Sequence, residues 1–189
     1  MPRTIGFLVY PDFQLLDATG PIATFEIAAR FSPGAYRLVF LSKDGGMVAS
    51  SSGLAVATAA LADAPPLDTL IVSGGDGVKA PAGCAATLAY VRDAARTARR
   101  VASVCSGTYV LAAAGLLDGK RATTHWSRTK DLQKRYPAIR LEPDKIFVQD
   151  GMIWSSAGIT AGIDLSDADR DKIRSGNAID LLKLDMSKA

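Results

Sequence analysis

One cysteine lies where a buried strand passes directly into small residues and a helix. Residues 101–104 are a short apolar run, Cys105 and Ser106 follow, and Gly107 opens an alanine-rich helix predicted over 107–115. This order is typical of a nucleophile elbow, a tight and strained turn that presents a reactive side chain at the end of a sheet. A sulfur at a helix N-terminus is favoured as thiolate, and the Ser106 and Gly107 amides could hold an oxyanion. The alternative interpretation of Cys105 is a small buried packing residue.

Two further loops carry candidate site residues. Gly74 and Gly75 follow an apolar run over 68–72, and the lack of side chains lets their amides approach a ligand closely. We expect them to complete an oxyanion hole, with a flexible turn as the alternative. Asp17 lies in the loop predicted after the run 5–10, where its carboxyl group could carry a proton to or from the sulfur or a substrate. Turn or capping duty is the alternative for Asp17.

The remaining residues of chemical interest are interpreted as structural. His125 is the single histidine and is predicted to lie on an outer element rather than in a Cys–His dyad. Cys84 is interpreted as a packing residue, and Trp126 and Trp154 as core or pocket wall. One histidine and two well-separated cysteines offer no ligand pair at metal spacing, so the sequence predicts neither a metal nor a cofactor.

The elements that must position these residues alternate between strands and helices. Strands are predicted over 5–10, 36–41, 54–58 (a short edge strand), 68–72 and 101–104, with a turn at 43–46, an extended segment at 120–124, and a hairpin of 146–148 and 152–155. Helices are predicted over 22–30, capped by Thr19 or Gly20 with Pro21 in the first turn, and over 85–98, 107–115 and 127–135. The alternation predicts an α/β fold with a mostly parallel sheet and helices on both faces. Ligands of such sheets bind at the carboxyl ends of the strands, so the three candidate loops should meet.

Composition excludes several classes of protein. The chain has 189 residues, 48% of them hydrophobic and 22% charged, which suits one domain with a sizeable core. The net charge of +3 is small, and the basic cluster over 92–100 has the spacing of a solvated helix face rather than a nucleic-acid footprint. No apolar run is long enough for a membrane span and no signal peptide is evident, so we expect a cytoplasmic protein with free thiols.

Several motifs together resemble one known family. Cys105-Ser106-Gly107-Thr108 and the run 112–126 closely resemble the ThiJ/PfpI superfamily, also called class I glutamine amidotransferase-like. Within it, the chain resembles the group shared by isonitrile hydratases and the amidase-like domains of AraC-type transcription regulators. Further matching stretches lie at 16–21, 50–54, 65–68 and 155–164. The resemblance covers about residues 4–165 and implies a flavodoxin-like three-layer sandwich and a homodimer. We therefore expect one domain over 1–165 and an atypical, helical C-terminal tail over 166–189.

The resemblance also implies roles for individual residues. By position, Cys105 corresponds to the hydratase nucleophile, Asp17 to the acidic residue that hydratases need, and Ser106 to the small hydroxyl residue beside the cysteine. Gly74 and Gly75 correspond to the backbone-amide loop. Ser106 stands where PfpI-type proteases carry a histidine, and no histidine follows residue 125, so peptidase and amidotransferase activities are disfavoured.

Three functions remain open at the level of sequence. The first is a cysteine-dependent enzyme that hydrates an isonitrile to an N-substituted formamide. The second is a ligand-sensing module of an AraC-type regulator without its DNA-binding part, so that this chain alone would bind a small molecule but no nucleic acid. The third is a stress-related thiol or glyoxalase-type protein. A neighbouring helix-turn-helix reading frame in the genome would favour the sensor.

Overall fold

The structure is a computed structural model that describes residues 2–158. The predicted domain end at residue 165 and the predicted helical tail over 166–189 lie outside the described residues. Within residues 2–158, no helix has the length and apolar character needed to cross a membrane.

An eight-stranded sheet forms the centre of the described fold, and two further strands form a separate small sheet. The strands are β1 (Arg3–Leu8), β2 (Tyr36–Ser42), β3 (Asp44–Ala49), β4 (Ala55–Ala60), β5 (Thr69–Val72), β6 (Arg100–Val104), β7 (Arg121–Ala122), β8 (Arg140–Leu141), β9 (Phe147–Asp150) and β10 (Ile153–Ser156). The small sheet pairs β7 with β8, and the central sheet has the order β3-β4-β2-β1-β5-β6-β10-β9. All neighbouring pairs of the central sheet are parallel except the two edge pairs, β3 with β4 and β10 with β9. The order reverses between β1 and β5, which is the switch point where open α/β sheets bind ligands.

Helices cover both faces of the sheet and complete three layers. They are α1 (Leu15–Phe31), α2 (Lys79–Gly83), α3 (Ala85–Thr97), α4 (Thr108–Ala113) and α5 (Thr129–Arg135). Successive strand residues point to opposite faces, so Leu70 and Val72 join the core beneath α3 and α4, whereas Ile71 packs in a second core with Phe25 of α1. The predicted flavodoxin-like sandwich is confirmed.

Helix α1 begins earlier than the sequence predicted. It starts at Leu15, so Thr19 and Gly20 lie inside the helix and do not cap it, and Pro21 is an internal proline. Pro21 has no N–H to donate to the carbonyl of Asp17 four residues before it. The helix nevertheless continues through the proline, because Ala18 and Phe25 on either side of it are buried. Asp17 therefore lies in the first helical turn rather than in a loop.

Two further predictions near the sheet edge were wrong. Residues 43–46 are not a turn: Asp44 begins β3, which pairs antiparallel with β4. Strand β4 is consequently internal, between β3 and β2, and not an edge strand. The Gly45-Gly46 pair suggested a turn because glycine is the usual turn residue, and both glycines do adopt positive φ. The predicted hairpin at the other edge is confirmed, with Gly151 at φ +64° in its turn.

Candidate functional site

The three predicted loops meet at the carboxyl ends of β1, β5 and β6. A Cβ atom placed on Gly74 would lie against Oδ2 of Asp17, 2.7 Å from Cβ of Cys105 and 2.8 Å from the backbone nitrogen of Ser106. Asp17, Gly74, Cys105 and Ser106 are therefore neighbours, as the sequence predicted. Glycine at position 74 leaves the space in which the carboxyl group and the thiol approach each other.

The cysteine occupies a strained turn of the kind expected for a nucleophile elbow. Cys105 has φ +55°, a left-handed conformation that is uncommon for residues with a side chain. Its carbonyl oxygen accepts hydrogen bonds from Thr108 Oγ1 at 3.1 Å and from Thr124 Oγ1 at 2.9 Å. Both threonines are fully buried, so the strained peptide is held from two sides. The sequence analysis did not identify these two supports.

Gly107 allows the turn to pack against the end of β5. A Cβ atom on Gly107 would collide with the carbonyl oxygen of Val72 and lie 2.8 Å from that of Ser73. A 3₁₀ turn over Cys105–Gly107 separates the strand from α4, which begins only at Thr108 and is six residues long. The sulfur is therefore not at the first turn of a long helix.

The surroundings of Cys105 favour the thiol, whereas the sequence pattern led us to expect a thiolate. Burial and the negative charge of Asp17 raise the pKa of Cys105 to about 12, and a hydrogen bond to Asp17 raises it further. A hydrogen bond from the Ser106 amide lowers the pKa, but it does not outweigh burial and Asp17. The sequence pattern indicated the favourable amide but gave no measure of burial. Burial and Asp17 together therefore favour the thiol form of Cys105 over the thiolate.

Ser106 joins the elbow to the glycine loop. Its hydroxyl oxygen accepts a hydrogen bond from the Gly75 amide at 2.9 Å and lies 3.0 Å from the Gly75 carbonyl oxygen, to which it donates. Gly75 has φ +141°, and a Cβ atom there would lie 2.5 Å from the Gln14 amide nitrogen. The Gly75 amide, predicted as an oxyanion donor, is therefore directed at Ser106.

Tyr10 is a buried hydroxyl beside the site that the sequence analysis missed. Its Oη donates to the carbonyl of Ser73 at 2.8 Å, and only 4% of the residue is exposed. Burial raises the pKa of Tyr10, and the nearby charge of Asp17 raises it further, so the phenol stays neutral. Tyr10 follows β1 and Ser73 follows β5. Asp17 and Gly74 were predicted because ligands bind at the carboxyl ends of parallel strands, and the same rule would have identified Tyr10 and Ser73.

A small pocket gives access to the sulfur. Its volume is about 190 Å³, and Cys105, Ser106 and Gly75 line it together with Gln14, His125 and Arg128. His125 therefore forms part of the pocket wall. Its Nδ1 accepts from the Ser127 amide at 3.3 Å, and burial and Arg128 lower its pKa.

Two other predictions concern residues around this pocket. Trp126 is 70% exposed and is not a core residue, whereas Trp154 is buried as predicted. Gly158 was missed: it has φ +91°, and a Cβ atom there would lie 2.9 Å from the Cys105 sulfur. Among residues 2–158, no group of three or more His, Cys, Asp or Glu side chains is arranged to hold a metal ion.

Comparison with known proteins places this site in a family. The DJ-1/PfpI family matches residues 3–168. The chain belongs to the DJ-1/PfpI family. It is 44% identical over 167 residues to an isonitrile hydratase from Pseudomonas putida, which covers 88% of this chain and 70% of that protein.

Other members of the family are transcription regulators. The chain is 35% identical to the HTH-type transcriptional regulator CdhR from Pseudomonas aeruginosa over 167 residues, 87% of this chain and 49% of the regulator. Among solved structures, a ThiJ/PfpI family protein from Pseudomonas syringae matches with a TM-score of 0.76 and 34% identity, over 98% of this chain and 76% of that one. The chain is thus similar to 70% of the isonitrile hydratase and to about half of the regulator.

Proposed function

We propose that this protein hydrates isonitriles to N-substituted formamides, with Cys105 as the nucleophile. The observation that carries the proposal is the pairing of the buried Asp17 with the Cys105 thiol, which lines a pocket. The similarity to an isonitrile hydratase at 44% identity supports the same reaction. The substrate is a small molecule, in keeping with a pocket of about 190 Å³.

The protonated thiol suits this reaction because hydration must place a proton on the isonitrile carbon. As sulfur attacks the terminal carbon, Asp17 accepts the thiol proton and delivers it to that carbon, which gives a thioimidate, R–N=CH–S–Cys105. Water then adds to the C=N bond, its oxygen to carbon and a proton to nitrogen. Collapse of the adduct releases R–NH–CHO and returns the proton to sulfur. The sum is addition of one water, without an oxidant or reductant.

The other site residues position these atoms. Gly74 keeps the carboxyl group next to the sulfur, and its amide with that of Gly107 would stabilise charge that develops in the adduct. Ser106, fixed by Gly75, would orient the water. We also propose that the protein acts in the cytoplasm, as a homodimer, without binding nucleic acid through this chain.

Turnover of cyclohexyl isonitrile by the purified protein tests the proposal. Formamide formation is expected for the wild type and for Cys84→Ser, the matched control on the other cysteine. Cys105→Ala should lower kcat at least about a thousandfold, because removal of a nucleophile removes the covalent route. Equal activity of Cys105→Ala and wild type would exclude Cys105 as the nucleophile.

A ligand-sensing module is the second candidate, and the similarity to CdhR favours it. In that case the wild type would bind isonitriles or related molecules without turnover. Ligand-induced thermal stabilisation with no formamide formed would support the sensor over the enzyme.

A further inference from the structure

A second, larger cavity adjoins the pocket that holds Cys105. Its volume is about 450 Å³, more than twice that of the first, and Tyr109, Asp131 and Lys79 are among its lining residues. Asp76 and Arg128 line both cavities. Arg128 donates to Asp76 Oδ1 at 2.7 Å, so this ion pair forms the partition between the two spaces.

The partition is weak enough to be opened by a ligand. The Asp76 side chain is 87% exposed and that of Arg128 is 43% exposed. Ion pairs in contact with water contribute little, because solvent screens their charges and both side chains lose freedom on pairing. A ligand carboxylate could therefore take over Arg128, and Asp76 would remain hydrated when released.

The charges of the second cavity favour an anionic ligand group. Asp131 is already occupied, since Arg135 binds it at 2.8 Å and the Tyr109 hydroxyl donates to it at 2.7 Å. Lys79 is exposed and forms no ion pair with any residue in 2–158, so its charge is available. Beside the aromatic rings of Tyr109 and Tyr136, the cavity thus offers an unneutralised cation.

We propose that the two cavities form one extended substrate site, in which the isonitrile carbon meets Cys105 and a carboxylate-bearing substituent lies in the second cavity against Arg128 and Lys79. The substrate class is then an isonitrile whose aromatic or other apolar substituent carries a carboxylate. This inference rests on the proposed function for the reacting end, but the binding of the tail can be measured without turnover.

Matched substrates test the tail site. Wild type should prefer 4-carboxybenzyl isonitrile over benzyl isonitrile by about fivefold in kcat/KM, the factor that a half-exposed charge pair supplies. Lys79→Met and Arg128→Met should each reduce this preference, and 0.5 M salt should weaken it by screening. Lys145→Met, an exposed lysine that lines neither cavity, is the control and should retain the full preference.

Labelling of Cys105 separates this proposal from the proposed function. In a Cys84→Ser background, 4-(bromomethyl)benzoate should alkylate Cys105 faster than benzyl bromide does, by a similar factor. Mass spectrometry measures the rate of labelling. A carboxylate preference in labelling without isonitrile turnover would support the tail site and contradict the proposed hydratase activity. Turnover with no carboxylate preference in either assay, or a preference unchanged in Lys79→Met and Arg128→Met, would overturn the tail site.

Discussion

At the scale of single residues, the site depends on the charge of Asp17 acting on the Cys105 sulfur. The carboxylate raises the thiol pKa, so Asp17→Asn should lower that pKa and increase the thiolate fraction at pH 8. Alkylation by iodoacetamide in a Cys84→Ser background should then accelerate about threefold for each unit by which the pKa falls, because the weaker basicity offsets part of the gain. Isonitrile hydration should be lost, since no carboxylate remains to deliver the proton to carbon.

These opposite effects distinguish two roles for Asp17. If Asp17 shuttles a proton to the substrate, the Asp17→Asn variant should be labelled faster and should lose isonitrile hydration. Slower labelling in Asp17→Asn, measured on protein with an unchanged melting temperature, would mean that Asp17 activates the sulfur as a base and would contradict the pairing described above. In the wild type, labelling should still increase with pH at pH 10, since the thiol pKa is about 12.

Gly74 is the residue at which the smallest change should have a large effect. In Gly74→Ala, the added methyl group would lie against Asp17 Oδ2 and 2.7 Å from Cβ of Cys105, so the carboxyl group and the thiol must separate. A displacement of about 1 Å in a catalytic pair can cost about a hundredfold in rate, and we expect a loss of that size in kcat/KM. Gly20→Ala is the control: apart from the adjacent backbone of α1, no atom of the described chain lies within 4 Å of its new methyl group. Because Gly20 is inside α1, this variant should keep its activity and gain about 0.5–1 kcal/mol in stability. Equal activity of the two variants would contradict the close approach at Gly74.

At the scale of elements, the elbow is held by side chains from the following helix and from the segment after β7. Thr124→Val keeps the shape of the residue and removes one of the two hydroxyl donors to the Cys105 carbonyl. The free energy of unfolding in urea should fall by about 1 kcal/mol, the usual net value of a hydrogen bond. We also expect a lower kcat, because the strained conformation at Cys105 loses support. Thr97→Val, exposed at the end of α3, should change neither quantity; an unaffected kcat in Thr124→Val would show that Thr108 suffices.

The elements also show how far sequence alone predicts this site. The positions of Cys105, Asp17 and Gly74 were predictable, because apolar runs mark parallel strands and their carboxyl ends must meet. The pKa of the thiol was not, since it depends on how deeply the turn is buried and on the exact approach of Asp17. The hydrogen bond from Thr124 to the Cys105 carbonyl could not be predicted either. Thr124 lies 19 residues after Cys105, and no periodic pattern in the sequence indicates that the two are in contact.

At the scale of the whole molecule, α1 carries an apolar face that remains exposed among residues 2–158. Leu16, Ile27 and Phe31 are 45%, 52% and 65% exposed, and their spacing places them on one side of the helix. Exposed large apolar side chains grouped on one element are typical of an interaction surface. A second copy of the chain is the partner we propose, in line with the homodimer implied by the family resemblance.

Sedimentation equilibrium tests this assembly. The wild type should sediment at twice the chain mass of 19.8 kDa, and the double variant Ile27→Glu, Phe31→Glu should sediment as the single chain, because each glutamate would place a charge in the apolar contact. Met47→Glu changes an equally exposed apolar residue on β3, at the far edge of the sheet, and should leave the dimer intact. Asp17 lies in the first turn of the same helix. The isonitrile hydration activity of the double variant therefore shows whether dimer formation through α1 is needed for the site to work. A wild type that sediments as one chain at micromolar concentration would rule out the dimer, and α1 would then need another partner.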